Sequence, residues 1–157
     1  MKTAIIYSSK YGTTEKVAYL IGKQLSADEV DYISLKDDKL PDIEEYDKII
    51  IGTSIYAGNT TKEMRAFCFN NRELLQNKKL GLYICCMIKK QEDSQLDKAY
   101  PPYVSKFAIA KEALGGEMLF DKMNFFERFL CRKVMKVNSS VSALNHDAIT
   151  AFSQKMR

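Results

Sequence analysis

Long apolar runs are missing from this chain of 157 residues. The longest, Ile49-Ile50-Ile51 and the stretch from Leu80 to Ile88, fall well short of the roughly 20 residues that cross a bilayer. Glycine (7) and proline (3) are scarce, which excludes fibrous and low-complexity classes. Histidine occurs once, at His146, and none of the four cysteines (Cys68, Cys85, Cys86, Cys131) forms a C-x-x-C pair. A His/Cys zinc centre therefore lacks usable spacing, and no metal is expected. The opening apolar stretch Ala4-Ile5-Ile6-Tyr7 is too short for a signal-peptide core, so a cytoplasmic location is expected, where a disulfide framework is not.

Against these absences stand 46% hydrophobic and 28% charged residues, the make-up of a single globular domain spanning residues 1–157 and not of a disordered chain. The net charge of +4 is unevenly spread. Residues 1–120 carry 17 basic and 17 acidic side chains, and residues 121–157 carry 7 and 3. This C-terminal basic patch is small and comes with no recognised motif, so no nucleic acid is expected as a partner.

Strand and helix patterns alternate. Lys2 to Tyr7 reads as a buried strand, and 13–25 switches to helical spacing with Val17, Leu20, Ile21 and Leu25 on one side. Glu29 to Ser34 and Asp47 to Gly52 read as the second and third strands. The continuous Ile49-Ile50-Ile51 suits a strand buried on both faces. The acidic connection from Leu35 to Tyr46, which contains Pro41, reads as an irregular crossover or single turn. A helix over 61–76 presents Met64, Phe67, Cys68 and Leu75 to the core, and Leu80 to Met87 is the fourth strand. The polar stretch Lys89 to Pro102 reads as a long connection, 103–111 as a short helix, and Ala113 to Phe120 as a fifth strand weakened by Gly115-Gly116. Helices at about 124–136 and 146–156 close the chain. Such alternation implies an α/β fold, a doubly wound five-stranded parallel sheet in the order 2-1-3-4-5 with helices on both faces.

The most informative segment follows the first strand: Ser8-Ser9-Lys10-Tyr11-Gly12-Thr13-Thr14, with a helix opening at once. The first turn of a helix offers unpaired N–H groups and the positive end of its dipole. The hydroxyls add donors, and Gly12 allows close backbone approach, so the loop suits a monophosphate. It is neither a Walker loop nor a G-x-G-x-x-G turn. Helix capping by Ser and Thr is the plainer alternative. The run also resembles the flavodoxin signature at Ile5, Ile6, Tyr7, Ser9, Gly12, Thr14, Ala18 and Ile21. That resemblance implies that flavin mononucleotide (FMN) places its phosphate on residues 8–14.

In a doubly wound sheet the ligand lies at the carboxyl ends of the strands, so two further loops are expected to contribute. Thr53-Ser54-Ile55-Tyr56-Ala57-Gly58 follows the third strand and offers backbone hydrogen bonds and the Tyr56 ring to cover the flavin. Cys86-Met87-Ile88 ends the fourth. Cys85 and Cys86, adjacent on a strand, point to opposite faces and read as packing residues, not a redox pair. Lys89 or Lys90 beside the ring would favour its anionic reduced form.

The segment from Asn124 to Lys136 is basic and aromatic. On a helical wheel Phe126, Leu130, Val134 and Val137 form a core side. Arg128, Arg132, Lys133 and Lys136 cluster on the other, with Phe125 and Phe129 among them. Such a face suits a membrane surface or a flat apolar ligand, or is a solvated face. Over nearly its whole length the chain resembles the bacterial menaquinone-dependent protoporphyrinogen oxidases. The resemblance rests on the first loop, on Gly52-Thr53-Ser54-Ile55-Tyr56-Ala57-Gly58, on an added stretch at about 89–102, and on Phe125 to Lys136. It implies an FMN oxidoreductase that takes hydride from protoporphyrinogen IX and passes electrons to a quinone. It also implies a peripheral position at the inner membrane face through Phe125, Phe129, Arg128, Arg132 and Lys136. The alternative is an electron-transfer flavodoxin. Those carriers are usually acidic, whereas the isoelectric point here is about 8.8.

Overall fold

The computed structural model describes residues 1–37, 42–56 and 58–157. Five parallel strands, β1 (Lys2–Ser8), β2 (Glu29–Ser34), β3 (Lys48–Ser54), β4 (Lys79–Cys85) and β5 (Ala108–Ala113), lie in the order β2-β1-β3-β4-β5. The expected topology is therefore present. Helices α1 (Thr13–Gln24), α2 (Lys62–Asn70), α3 (Arg72–Leu75), α4 (Glu92–Ala99), α5 (Pro102–Ser105), α6 (Phe125–Met135) and α7 (His146–Lys155) complete the described helices, with 3-10 turns at Ile43–Glu45, Lys89–Gln91 and Phe120–Lys122. A two-stranded antiparallel sheet, β6 (Gly115–Met118) with β7 (Val141–Leu144), lies outside the main sheet.

Alternation along the central strands feeds two cores. Ala4, Ile6, Ile49, Ile51, Leu82 and Ile84 face Met64, Phe67, Cys68 and Leu75 from α2 and α3. Ile5, Tyr7, Ile50 and Tyr83 face Val17, Ile21, Ile149 and Phe152 from α1 and α7. The unbroken Ile49-Ile50-Ile51 run thus serves both faces, as a central parallel strand must. Cys85 and Cys86 fall on opposite cores as the strand pleat requires. The β2–β3 connection contains the single turn at Ile43–Glu45, and Pro41 lies outside the described residues.

Several boundaries differ from the sequence reading. The expected helix over 61–76 breaks at Asn71 into α2 and α3. The polar stretch 89–102, read as a connection and an added loop, holds α4 and is the β4–β5 crossover. Its polar face is solvated while Gln95 and Ala99 are buried. The fifth strand is Ala108–Ala113, in the place of the expected short helix: it pairs with β4 at the edge of the sheet through a register shift opposite Leu80 and Gly81, which turns Ala110 to one core and Ala113 to the other. The expected strand at 113–120 instead leaves the main sheet at the two glycines. Gly115 has φ +76°, and a Cβ there would stand 2.1 Å from the Ala143 carbonyl oxygen on β7. The glycine is what lets β6 approach β7. Residues 115–144 are therefore an added unit between β5 and α7.

Candidate functional site

Parallel pairing sets the strand ends level. Tyr7 pairs with Gly52, and Gly52 with Tyr83, so the loops after β1, β3 and β4 meet at one edge of the sheet. The first loop turns sharply at Gly12, whose φ of +97° L side chains rarely adopt. Its N–H donates to Ser9 Oγ at 2.9 Å, and its carbonyl accepts from Lys16 N to start α1. Buried Tyr83 fixes the first turn from below by donating its hydroxyl to the Thr14 carbonyl at 2.9 Å.

Between these loops and the added unit lies a cavity of about 530 Å³. One end is polar, with Ser9, Thr13, Thr14 and Ser54, and Lys10 and Tyr11 at its rim. Ile55, Tyr56, Gly58, Cys86, Met87 and Ile88 continue the wall. Twelve of the sixteen residues expected at the site thus line one chamber. Ala57 lies outside the described residues. Gly12 borders an outer groove on the other side of the loop, with Glu15, Lys122, Asn124 and Glu127. Ser8 and Thr53 are not at the cavity, because their hydroxyls hold loops together. Thr61 Oγ1 donates to Ser8 Oγ at 2.8 Å, and Thr53 shares a 2.7 Å bond with Thr60. Lys89 and Lys90, expected beside a bound ring, are exposed and outside the lining. Their place is taken by Gln91 and Gln95. Burial pushes the Cys85 thiol up to about 12 and the Cys86 thiol up to about 11, so both remain neutral packing groups.

The other wall was missed in the sequence. Glu117 and Met118 from β6, Met123, and Leu130, Cys131, Val134 and Met135 from α6 line the same chamber. The expected core side of α6 is not buried: Phe126 is 70% exposed and Val134 66%. The reason is that α6 is not packed face to face on the main sheet. It arches over the cavity, touching it along one edge and leaving Phe125 85% exposed.

Charged contacts close this lid on the first loop. Lys10 Nζ pairs with Glu127 Oε1 at 2.6 Å and lies 3.5 Å from the centre of the Tyr56 ring. The Lys10 ammonium bonded to it holds the Glu127 carboxyl down at about 2. Burial pushes the Tyr11 phenol up to about 12. Glu127 also completes a capping box with Asn124, which starts α6. One turn along α1, Lys16 pairs with Glu117 at 2.6 Å, and Ser142 of β7 donates to the same carboxylate.

A family model for the flavodoxin domain matches residues 4–143. The chain belongs to the flavodoxin family. It is 20% identical over 147 residues to the protoporphyrinogen IX dehydrogenase [quinone] of Escherichia coli K12, covering 88% of this chain and 81% of that protein. Oxidised flavodoxin 1 from Bacillus cereus superposes with a TM-score of 0.56 at 15% identity, covering 99% of this chain and 97% of that one. Two-electron-reduced flavodoxin from Megasphaera elsdenii gives 0.60 at 16% identity, covering 97% and 98%. At such identities the solved structures establish the fold.

A flavodoxin domain is an FMN-binding redox module, and this cavity fits the group. Thr14 Oγ1 and Ser54 Oγ are buried at the polar end without a hydrogen-bond partner among the described residues. Unpaired buried hydroxyls are costly unless a ligand satisfies them. They stand beside the first turn of a 12-residue helix, as a phosphate monoester requires. Among the described residues no cluster of His, Cys, Asp or Glu could hold a metal ion.

Proposed function

We propose that this flavodoxin-family protein is an FMN-dependent oxidoreductase that oxidises a large, flat, apolar reduced substrate of the protoporphyrinogen type and delivers the electrons to a quinone. The observation that carries this reading is the lid. α6 and β6 turn the strand-end edge into a chamber whose far wall is Met118, Met123, Leu130, Val134 and Met135, facing Met87. A carrier that trades electrons with protein partners has no use for an apolar chamber, whereas an apolar substrate does. The name of the Escherichia coli relative supports the same substrate and acceptor.

In this reading the loop after β1 holds the FMN phosphate with Ser9, Thr13 and Thr14 and the first-turn N–H groups. Ile55, Tyr56, Gly58 and Cys86 to Ile88 border the ring, with Tyr56 covering it. Bound FMN supplies hydride acceptance from the substrate and electron release to a second acceptor. Two electrons and two protons leave the porphyrinogen and reappear on the quinone as quinol. The methionines adapt to the shape of the substrate and keep water out. The outer surface of α6, with Phe125 and Phe129 beside Arg132 and Lys136, rests on an anionic membrane surface, where apolar quinones dissolve, while Arg128 is turned inward onto the Phe120 carbonyl. Among the described residues no helix is long and apolar enough to cross a membrane, so such contact is peripheral.

The test is to load the apoprotein with FMN and mix it anaerobically with protoporphyrinogen IX. The expected result is two-electron bleaching of the flavin absorbance, with turnover on menaquinone analogues. A flavin that binds but stays oxidised would reject the substrate and favour an electron-transfer flavodoxin.

A further inference from the structure

Three lysines stand at the loop that receives the phosphate, and they are not equivalent. Lys10 is neutralised by Glu127 and Lys16 by Glu117. Lys122, in the 3-10 turn between β6 and α6, has no ion-pair partner among the described residues, and it is exposed. Its ammonium nevertheless has a fixed position, 111 residues along the chain from its contact. Nζ donates to the Tyr11 carbonyl oxygen at 2.8 Å, and a Cβ built on Gly12 would lie 3.2 Å from it.

That contact sets the orientation of one peptide. In a trans peptide the C=O and the following N–H point opposite ways. With the Tyr11 oxygen drawn out to Lys122, the Gly12 N–H is aimed inward, where Ser9 Oγ accepts it. The left-handed Gly12 then delivers the chain into α1 with Thr14 Oγ1 fully buried, unpartnered and on the cavity wall. The polar end thus offers unpaired donors to an anion, with the Lys122 ammonium on the other side of the loop.

We infer that Lys122 is a positioning residue for the cofactor phosphate: it orients the Tyr11–Gly12 peptide and supplies the positive charge that the paired Lys10 and Lys16 do not. The inference rests on the FMN reading. It also makes the added unit a part of cofactor recognition as well as a cover for the substrate.

The test compares FMN with riboflavin, which lacks the phosphate, on the wild-type apoprotein and on Lys122→Met and Lys122→Arg. A charge-assisted contact of this kind corresponds to about a tenfold change in affinity. Lys122→Met should weaken FMN about tenfold and leave riboflavin within about twofold, with the thermal midpoint of the apoprotein unchanged. Lys122→Arg should restore most of the loss. Inorganic phosphate gives a second readout, competing with FMN less well in Lys122→Met than in the wild type. If FMN and riboflavin weaken together, Lys122 merely seats the lid and the inference is wrong. It is equally wrong if neither changes. A wild-type apoprotein that takes up no FMN would instead refute the functional reading, and that result precedes any variant.

Discussion

Replacing Gly12 by alanine perturbs the proposed phosphate loop at the residue that turns it. The backbone there has φ +97° and ψ −8°, beyond the centre of the left-handed region near +57°. An L residue in that region costs about 1–2 kcal/mol. The new Cβ would also stand 3.2 Å from Lys122 Nζ, a flexible tip that can move aside, so the backbone term decides. If the loop keeps its shape, the apoprotein carries the strain. At about 2–4 °C per kcal/mol for a chain of this size, its melting midpoint falls by roughly 2–8 °C. If the free loop relaxes instead, the midpoint holds, and FMN must restore the strained shape on binding. Its dissociation constant then rises by about 5–30-fold. Either way the FMN-loaded state loses the same free energy against the unfolded chain. The assay is an FMN titration by quenching of flavin fluorescence, paired with thermal melts of both forms. An unchanged affinity together with unchanged midpoints would refute the placement of the loop and the role given to Gly12.

Other outcomes follow from single contacts. Asp28→Asn should cost about 3–5 kcal/mol in urea unfolding at pH 7, because Lys48, 1% exposed and 2.6 Å from Asp28, would keep a buried charge without its counter-ion. Burial alone would raise the Asp28 carboxyl, but the bonds from Lys48 and Thr3 outweigh it and hold it below its usual value. Its contribution is therefore complete above the unfolded value near pH 3.9 and is lost as pH falls through the lower folded value. The gap between wild type and Asp28→Asn should close in that acid range, and a constant gap would contradict the linkage. Glu127→Gln keeps a residue able to complete the capping box but loses the ion pair with Lys10. Amide exchange over 125–135 should rise roughly tenfold at neutral pH, and unchanged protection would mean that the ion pair does not hold the lid. Phe125→Ala with Phe129→Ala removes two exposed rings. It should weaken binding to anionic vesicles and slow quinone-dependent turnover while FMN affinity stays the same. Intact vesicle binding would remove the membrane contact.

How much of the site was legible depended on where its residues lie along the chain. The loop Ser8 to Thr14 was legible because strand, turn and helix are consecutive, and phosphate-loop chemistry is written in neighbouring residue types. Met87 and Ile88 were found by the rule that strand ends converge, and Tyr56 likewise. Even there, Ser8 and Thr53 could not be told from true lining residues, since their partners Thr61 and Thr60 turn their hydroxyls aside. Glu117, Lys122 and Met123 carried no local signal. They matter only because β6 leaves the main sheet at Gly115, a turn that reads in sequence as nothing more than a weak strand.

The wheel of α6 shows the same division. Its spacing named the helix, and Phe125–Met135 is helical, but the half-buried residues are Glu127, Arg128, Cys131 and Met135 and not the side the wheel set toward the core. A wheel says which residues share a side, not what that side meets. Phe126, Leu130 and Val134 looked like core, yet all three are exposed, with Leu130 and Val134 facing a cavity instead of a sheet.

By itself, then, the sequence determined the parallel α/β topology and the strand–turn–helix at Gly12, because periodicity, β-branched runs and helix-start chemistry act over a few residues. Tertiary structure alone decided that the strand ends are roofed, that Lys10 and Lys16 are paired with Glu127 and Glu117, and that Lys122 reaches the Tyr11 carbonyl. Those are matters of which side chains meet across a hundred residues, and packing, not local preference, arranges them.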